Sequence, residues 1–177
     1  IYLTSTYKLT NEQYKKILEG KNRETYVYTR WRNPTTKALE EKMAMLENGE
    51  DAVAFSSGMA AIATTFFTFL KNGDELITSM DIYGGTFSLI QNELRRHGIK
   101  IKYVDCTSPN EISEAISSKT KMVFFESITN PLLKVVDIPQ IAKIAHERDC
   151  IFAVDATFAT PINQNPLKYG EDIVIHS

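Results

Sequence analysis

Cysteine is scarce: Cys106 and Cys150 are the only two in 177 residues, with no CxxC and no Cys/His ligand spacing around them. That excludes a disulfide framework or a zinc finger and predicts two buried, reduced thiols, as in a cytoplasmic protein. An excess of either charge is missing as well. Lys and Arg total 20 against 22 Asp and Glu, so neither nucleic acid nor anionic lipid is an expected partner. No apolar run approaches the roughly 20 residues that span a bilayer, and no basic-then-apolar leader opens the chain. The chain therefore reads as soluble. GxGxxG and GxxxxGK[ST] are absent, which leaves a Rossmann site weakly supported and a P-loop unsupported. GxSxG is absent too, since the residue two before Ser57 is Phe55; this excludes a nucleophile elbow. The three histidines, His97, His146 and His176, are scattered. The first two fall on predicted helices and read as solvated or helix-end groups, the third as packing, and no metal is expected.

What is present suits one globular domain with a substantial core, at 43% hydrophobic and 24% charged residues. From Ala52 onward, short apolar runs alternate with amphipathic segments. "AVAF", "ELITS", "IKYVD", "MVFFE", "IFAVD" and "DIVIH" predict six strands buried on both faces. Between them, "GMAAIATTFFTFL", "GTFSLIQNELRRHG", "PNEISEAI" and "DIPQIAKIAHERD" carry helical spacing. Pro109 and Pro139 sit where first-turn prolines belong, Asp137 can cap the last of these helices, and Gly98 can close the second. Two more helices are expected over 11–19 and 34–46, joined by an extended arm that turns at Asn33 and Pro34. Strands alternating with helices imply parallel pairing and right-handed crossovers, hence a three-layer α/β/α fold on a mostly parallel sheet.

In such sheets ligands sit beyond the carboxyl ends of the strands. Those positions are Ser57, Ser79, Asp105, Glu126, Asp155 and Ser177. At "AVAFSSGMAAI" small polar residues open a helix, whose first amides and dipole suit an anion. A serine that merely caps the helix accounts for the same residues. Asp155, with Thr157 beside it in "IFAVDATFATP", could ligate a metal, orient a base, pair with a cationic ring nitrogen, or simply cap a turn. "MDIYGGT" puts Tyr83 before two glycines, where it could cover a flat ring or mark an ordinary turn, and "FFESITNPL" sets Glu126 and Asn130 in one loop.

Taken in order and spacing, "YVYTRWRNPTTKALEEKMAMLE", "AFSSGMAAI", "DIYGGT", "ESITNPLLKVVDI", "VDATFATP" and "DIVIHS" closely resemble the pyridoxal-phosphate enzymes of transsulfuration. That group includes cystathionine γ-synthase, cystathionine γ-lyase, methionine γ-lyase and the O-acetylhomoserine sulfhydrylases, of aminotransferase-like type I fold. The resemblance implies that Ser57, Gly58 and Met59 cradle the cofactor's phosphate, with the Ser177 hydroxyl joining. It implies that Tyr28 and Arg30 reach a neighbouring subunit's phosphate, so residues 1–50 are an arm and helices contacting that neighbour, and 51–177 the pyridoxal-phosphate-binding domain. Tyr83 would stack on the pyridine ring, Asn130 bond its phenolic oxygen, and Thr157 lie beside it. Asp155 would pair with the ring nitrogen and keep it protonated; Tyr83 and Asp155 are the two expected catalytic residues. Glu126 matches a supporting acid.

The same resemblance places the Schiff-base lysine three residues beyond Ser177, followed by a carboxy-terminal domain, so the chain is expected to be the front part of a larger enzyme and inactive alone. The implied reaction is γ-elimination or γ-replacement on a small amino-acid substrate, in a cytoplasmic homo-oligomer built as a dimer of dimers. Gly85 stands where methionine γ-lyase carries a cysteine, which ranks that activity lower; cystathionine γ-synthase or γ-lyase leads, with the sulfhydrylase as runner-up. A catalytically empty assembly subunit and a nucleotide-binding protein using the Ser57 bend are the rivals.

Overall fold

The computed structural model describes residues 1–177 apart from the side chain of Arg23. Its short β-branched and aromatic runs build β1 (Glu75–Thr78), β2 (Lys100–Tyr103), β3 (Thr120–Glu126), β4 (Ile151–Asp155) and β5 (Ile173–Ile175). They lie in the order β2-β1-β3-β4-β5, every adjacent pair parallel. The order reverses at β1, so helices cover both faces.

One face is packed by α5 (Pro109–Ala115) and α6 (Ile138–His146), whose Ile112, Ile138, Ile141 and Ala145 meet Val123, Phe125, Phe152 and Val154. The other is packed by α3 (Gly58–Phe69) and α4 (Gly84–Leu89) with the turn that follows it, through Ile62, Phe66, Ile90 and Leu94 against Leu76, Met122, Phe124 and Ala153. Phe66 meets Phe124 edge-on at 5.0 Å. Each buried Val, Leu, Ile, Phe or Met among them contributes roughly 1.5–3 kcal/mol by leaving water. The expected three-layer α/β/α arrangement is the one observed.

Two details differ from the sequence reading. Ala52–Phe55 is not a strand, so the sheet has five strands rather than six. The Ala52 N–H goes to Asp51 Oδ1 at 2.9 Å and the Ala54 N–H to Glu40 Oε1 at 3.0 Å, and Val53 is 68% exposed. Apolar composition cannot make a strand where no neighbouring backbone offers a ladder. The second difference lies in "GTFSLIQNELRRHG", which is not one α-helix. After Leu89 it widens into a π turn over Ile90–Leu94, Arg95 N–H reaching the Ile90 carbonyl at 3.4 Å.

Two units are distinguished, Ile1–Met45 with Gly49–Ala54, and Leu46–Asn48 with Phe55–Ser177. In the first, α1 (Asn11–Leu18) opens on a capping box between Thr10 and Gln13. The arm that follows contains a 3₁₀ turn, Asn22–Glu24, and an antiparallel bridge between Thr6 and Tyr28. Most of α2 (Pro34–Glu47) also belongs there, with Asn33 Oδ1 accepting from the Thr35 N–H at 2.8 Å.

Within the second unit, Glu47 Oε1 meets His176 Nε2 at 2.5 Å, so His176 is a hydrogen-bond partner of a buried acid as well as a packing residue. Glu171, 6% exposed, lies beside this pair, and neither of its oxygens has a hydrogen-bond partner among the described residues. Burial, then the charges of Glu47 and Asp172, push its carboxyl up to about 7. The folded state therefore holds a proton that the unfolded chain releases near the ordinary glutamate value of 4.5. Its contribution is complete below that value and is lost as pH rises toward about 7. Glu171→Gln is expected to remove this slope. Chemical denaturation should show the variant gaining roughly 2–3 kcal/mol on wild type between the two ends of the window.

Candidate functional site

Alternation along the strands decides which way their carboxyl ends face. Phe124 and Ala153 belong to the core under α3, so with a period of two Glu126, Asp155 and, past β5, Ser177 lie on that same face. Glu126 and Asp155 are direct neighbours in the β3–β4 register. Above them α3 begins, so two carboxylates and a helix N-terminus open onto one cavity of about 350 Å³. Ser57, Gly58, Met59, Tyr83, Asn130, Asp155, Thr157 and Ser177 all line it, together with Glu126. Eight of the ten predicted site residues thus converge. The other two, Tyr28 and Arg30, belong to the other unit, where the Arg30 guanidinium sits 4.9 Å from the centre of the Tyr28 ring.

Ser57 is the N-cap of α3, its Oγ accepting from the Ala60 N–H at 3.1 Å. The amides of Gly58 and Met59, in the first turn, have no intrahelical acceptor. Gly58 is glycine for a packing reason. A Cβ there would overlap Ser177 Cβ and Oγ, so its absence lets the last residue of the sheet edge close on the helix start. Of the two readings open in the sequence, the cap is observed, and it leaves the Gly58 and Met59 amides and the hydroxyl hydrogens of Ser57 and Ser177 without an acceptor among the described residues.

At the opposite side Asp155 is 9% exposed. Its Oδ1 accepts from both the Thr157 N–H, at 3.0 Å, and the Thr157 hydroxyl, at 2.5 Å. Thr157 Oγ1 in turn accepts from the Ser177 N–H at 3.0 Å, so one threonine ties the acid to the serine beside the start of α3. Among the described residues nothing bonds Asp155 Oδ2. A carboxylate so held has one oxygen to offer a cation on a ligand.

Tyr83, 49% exposed, stands at the cavity mouth. Its ring is set by Gly85, where a Cβ would come within 2.5 Å of Tyr83 Cε1 and 3.1 Å of Met59 Sδ. Glu126 is 5% exposed; its Oε1 accepts from the Tyr83 N–H at 2.7 Å and its Oε2 from the Asn130 N–H at 2.8 Å. Burial pushes the Glu126 carboxyl above its usual range; the two amides pull it down, and Asp155 adds to the rise. Sequence reasoning missed the lining by Ile62, Ile128 and Phe158, because apolar residues in loops and helices carry no signal of where they face. It also missed the Glu47–His176 pair, which joins residues 129 apart. Among the described residues no group of three His, Cys, Asp or Glu converges as metal ligands.

The residues fit a molecule that is anionic at one end and flat and cationic at the other. Two amides and hydroxyls at a helix start suit phosphate, and an anchored carboxylate with a free oxygen suits a protonated ring.

Compared with known proteins, residues 1–177 match the family described as Cys/Met metabolism PLP-dependent enzyme. An L-methionine gamma-lyase of Pseudomonas deceptionensis is 43% identical over 178 residues, covering 100% of this chain and 45% of that protein. A cystathionine gamma-synthase/O-acetylhomoserine (thiol)-lyase of Bacillus subtilis is 44% identical over 177 residues, again covering 100% and 45%. Among solved structures, cystathionine gamma-lyase from Lactobacillus plantarum complexed with L-serine superposes with a TM-score of 0.90 at 41% identity, over 100% of this chain and 44% of that one. The chain thus spans less than half the length of these relatives.

Proposed function

The chain belongs to the family of PLP-dependent enzymes of Cys and Met metabolism, and from that premise we propose that the cavity at the strand ends holds pyridoxal 5′-phosphate. The full-length protein then carries out γ-elimination or γ-replacement on sulfur amino acids or activated homoserine, in the manner of cystathionine γ-synthase or γ-lyase. The observation that carries this is the convergence of the α3 start, Ser177 and Asp155 on one cavity, tied by Thr157.

Pyridoxal phosphate, when bound, supplies an aromatic ring that draws off the electrons left when an amino acid loses a proton from Cα. The amides of Gly58 and Met59 and the hydroxyls of Ser57 and Ser177 bind its phosphate. Asp155 holds a proton on the ring nitrogen, and Thr157 keeps that carboxylate oriented. Asn130 orients the ring through its side-chain amide, and the Tyr83 ring covers it and excludes water. Tyr28 and Arg30 serve the phosphate of a neighbouring subunit, in a homo-oligomer assembled as a dimer of dimers. Residues 1–50 form that subunit contact, and 51–177 the cofactor domain. Free buried thiols at Cys106 and Cys150 support a cytoplasmic setting.

Identities of 43% and 44% favour neither methionine γ-lyase nor the synthase type, so substrate choice is a matter for assay. The full-length protein, loaded with pyridoxal phosphate, is expected to turn over cystathionine or an O-acylhomoserine with cysteine faster than methionine. Faster release of the keto acid from methionine would move the assignment to the lyase of that substrate. A protein that neither binds pyridoxal phosphate nor acts on any of these would overturn the proposal.

A further inference from the structure

One buried carboxylate joins both sides of the cavity. Glu126 ends β3, and its two oxygens are used separately: Oε1 takes the Tyr83 N–H from the loop after β1, and Oε2 takes the Asn130 N–H from the loop after β3. The two amides lie 47 residues apart in the chain. Tyr83, at the start of α4, makes no side-chain cap there, and its N–H goes to the Glu126 carboxylate. A carboxylate that accepts at both oxygens does so fully only when ionised, because a proton on either oxygen weakens the bond that oxygen accepts.

We infer that Glu126 is a positioning residue whose ionised carboxylate latches the Tyr83 loop to the Asn130 loop, so that the ring-covering tyrosine and the ring-orienting asparagine are held at a fixed separation. This rests on the reading that the cavity binds pyridoxal phosphate, but the latch itself is a property of the protein without it. Asp155, one strand over, is the charged group facing Glu126 from β4; from the other elements it meets the Tyr83 and Asn130 amides. With burial and Asp155 both opposing ionisation, the latch forms as pH rises through a value above the ordinary carboxylate range. It opens on acidification before surface carboxylates protonate.

The test is amide hydrogen exchange at Tyr83 and Asn130 in the full-length protein, with and without pyridoxal phosphate, for wild type and Glu126→Gln. Glutamine keeps one acceptor and turns an NH₂ toward the other amide. Wild type is expected to gain protection at both amides with rising pH, after correction for intrinsic exchange. Glu126→Gln should show no such pH response and a roughly 10- to 100-fold loss at one of the two, with core amides unchanged. Its affinity for pyridoxal phosphate should fall about 10-fold at unchanged unfolding temperature, as expected for one lost preorganising bond. Equal protection in the two proteins across pH would overturn the inference, as would a loss spread through the whole chain. A wild type that shows the latch yet binds no pyridoxal phosphate would overturn the functional proposal and leave the latch standing.

Discussion

Gly58→Ala is expected to weaken pyridoxal phosphate binding by the full-length protein about 100-fold, the scale of a displacement near 1 Å at a site that needs close fit. Exchanging a helical glycine for alanine ordinarily stabilises by roughly 0.5–1 kcal/mol. Here the sign reverses locally, because the added methyl would fall on Ser177 Cβ and Oγ. The Ser177 hydroxyl could rotate aside but its Cβ cannot, so the helix start and the end of the sheet edge must part. That separates the Gly58 and Met59 amides from the Ser177 hydroxyl, which are the donors assigned to the phosphate. Ser177 would also draw on Thr157, and through it on Asp155. Gly84→Ala is the control, since a Cβ there meets nothing within 4 Å. Titration of both variants with pyridoxal phosphate should show near wild-type binding for Gly84→Ala alone.

The second large effect concerns Asp155→Asn. Asparagine keeps an oxygen to accept both Thr157 bonds, so the loop and the cavity wall stay in place. What it cannot do is hold a proton on a ring nitrogen, because it carries no charge. Binding should stay within about 10-fold of wild type, while kcat falls by about 10²- to 10⁴-fold, the span seen when a proton-managing group is removed. Steady-state kinetics on the loaded full-length protein separates the two quantities. A kcat near wild type would deny Asp155 its role, and a collapse of binding with no kcat on saturation would make it an anchor instead.

How far the sequence foretold this follows from what each signal depends on. β3 and β4 were predictable because "MVFFE" and "IFAVD" are buried on both faces and both end on an acid, which is a local property. Ala52–Phe55 carried the same composition and failed, since pairing is a property of the neighbour and not of the run. Ser57 and Asp155 could be named as site candidates from their expected strand-end positions and Gly58 from the family resemblance, yet only the fold brings the three to one cavity. The use of Gly58 to admit Ser177 joins residues 119 apart, and the double use of Glu126 joins two loops. Neither has a local signature. The buried Glu171 was invisible for a related reason: as text it is one more charge in "YGEDIVIHS", and only its unpartnered oxygens mark it.

The claim on which the rest depends is that Asp155 faces the ring nitrogen while the α3 start faces the phosphate. It is tested most directly by the ¹⁵N chemical shift of ring-labelled pyridoxal phosphate bound to the full-length protein. A pyridinium shift in wild type that moves to the unprotonated position in Asp155→Asn, at the same pH and with the phosphate still bound, is the predicted result. An unprotonated ring in wild type, or a shift that the substitution leaves unmoved, would contradict it.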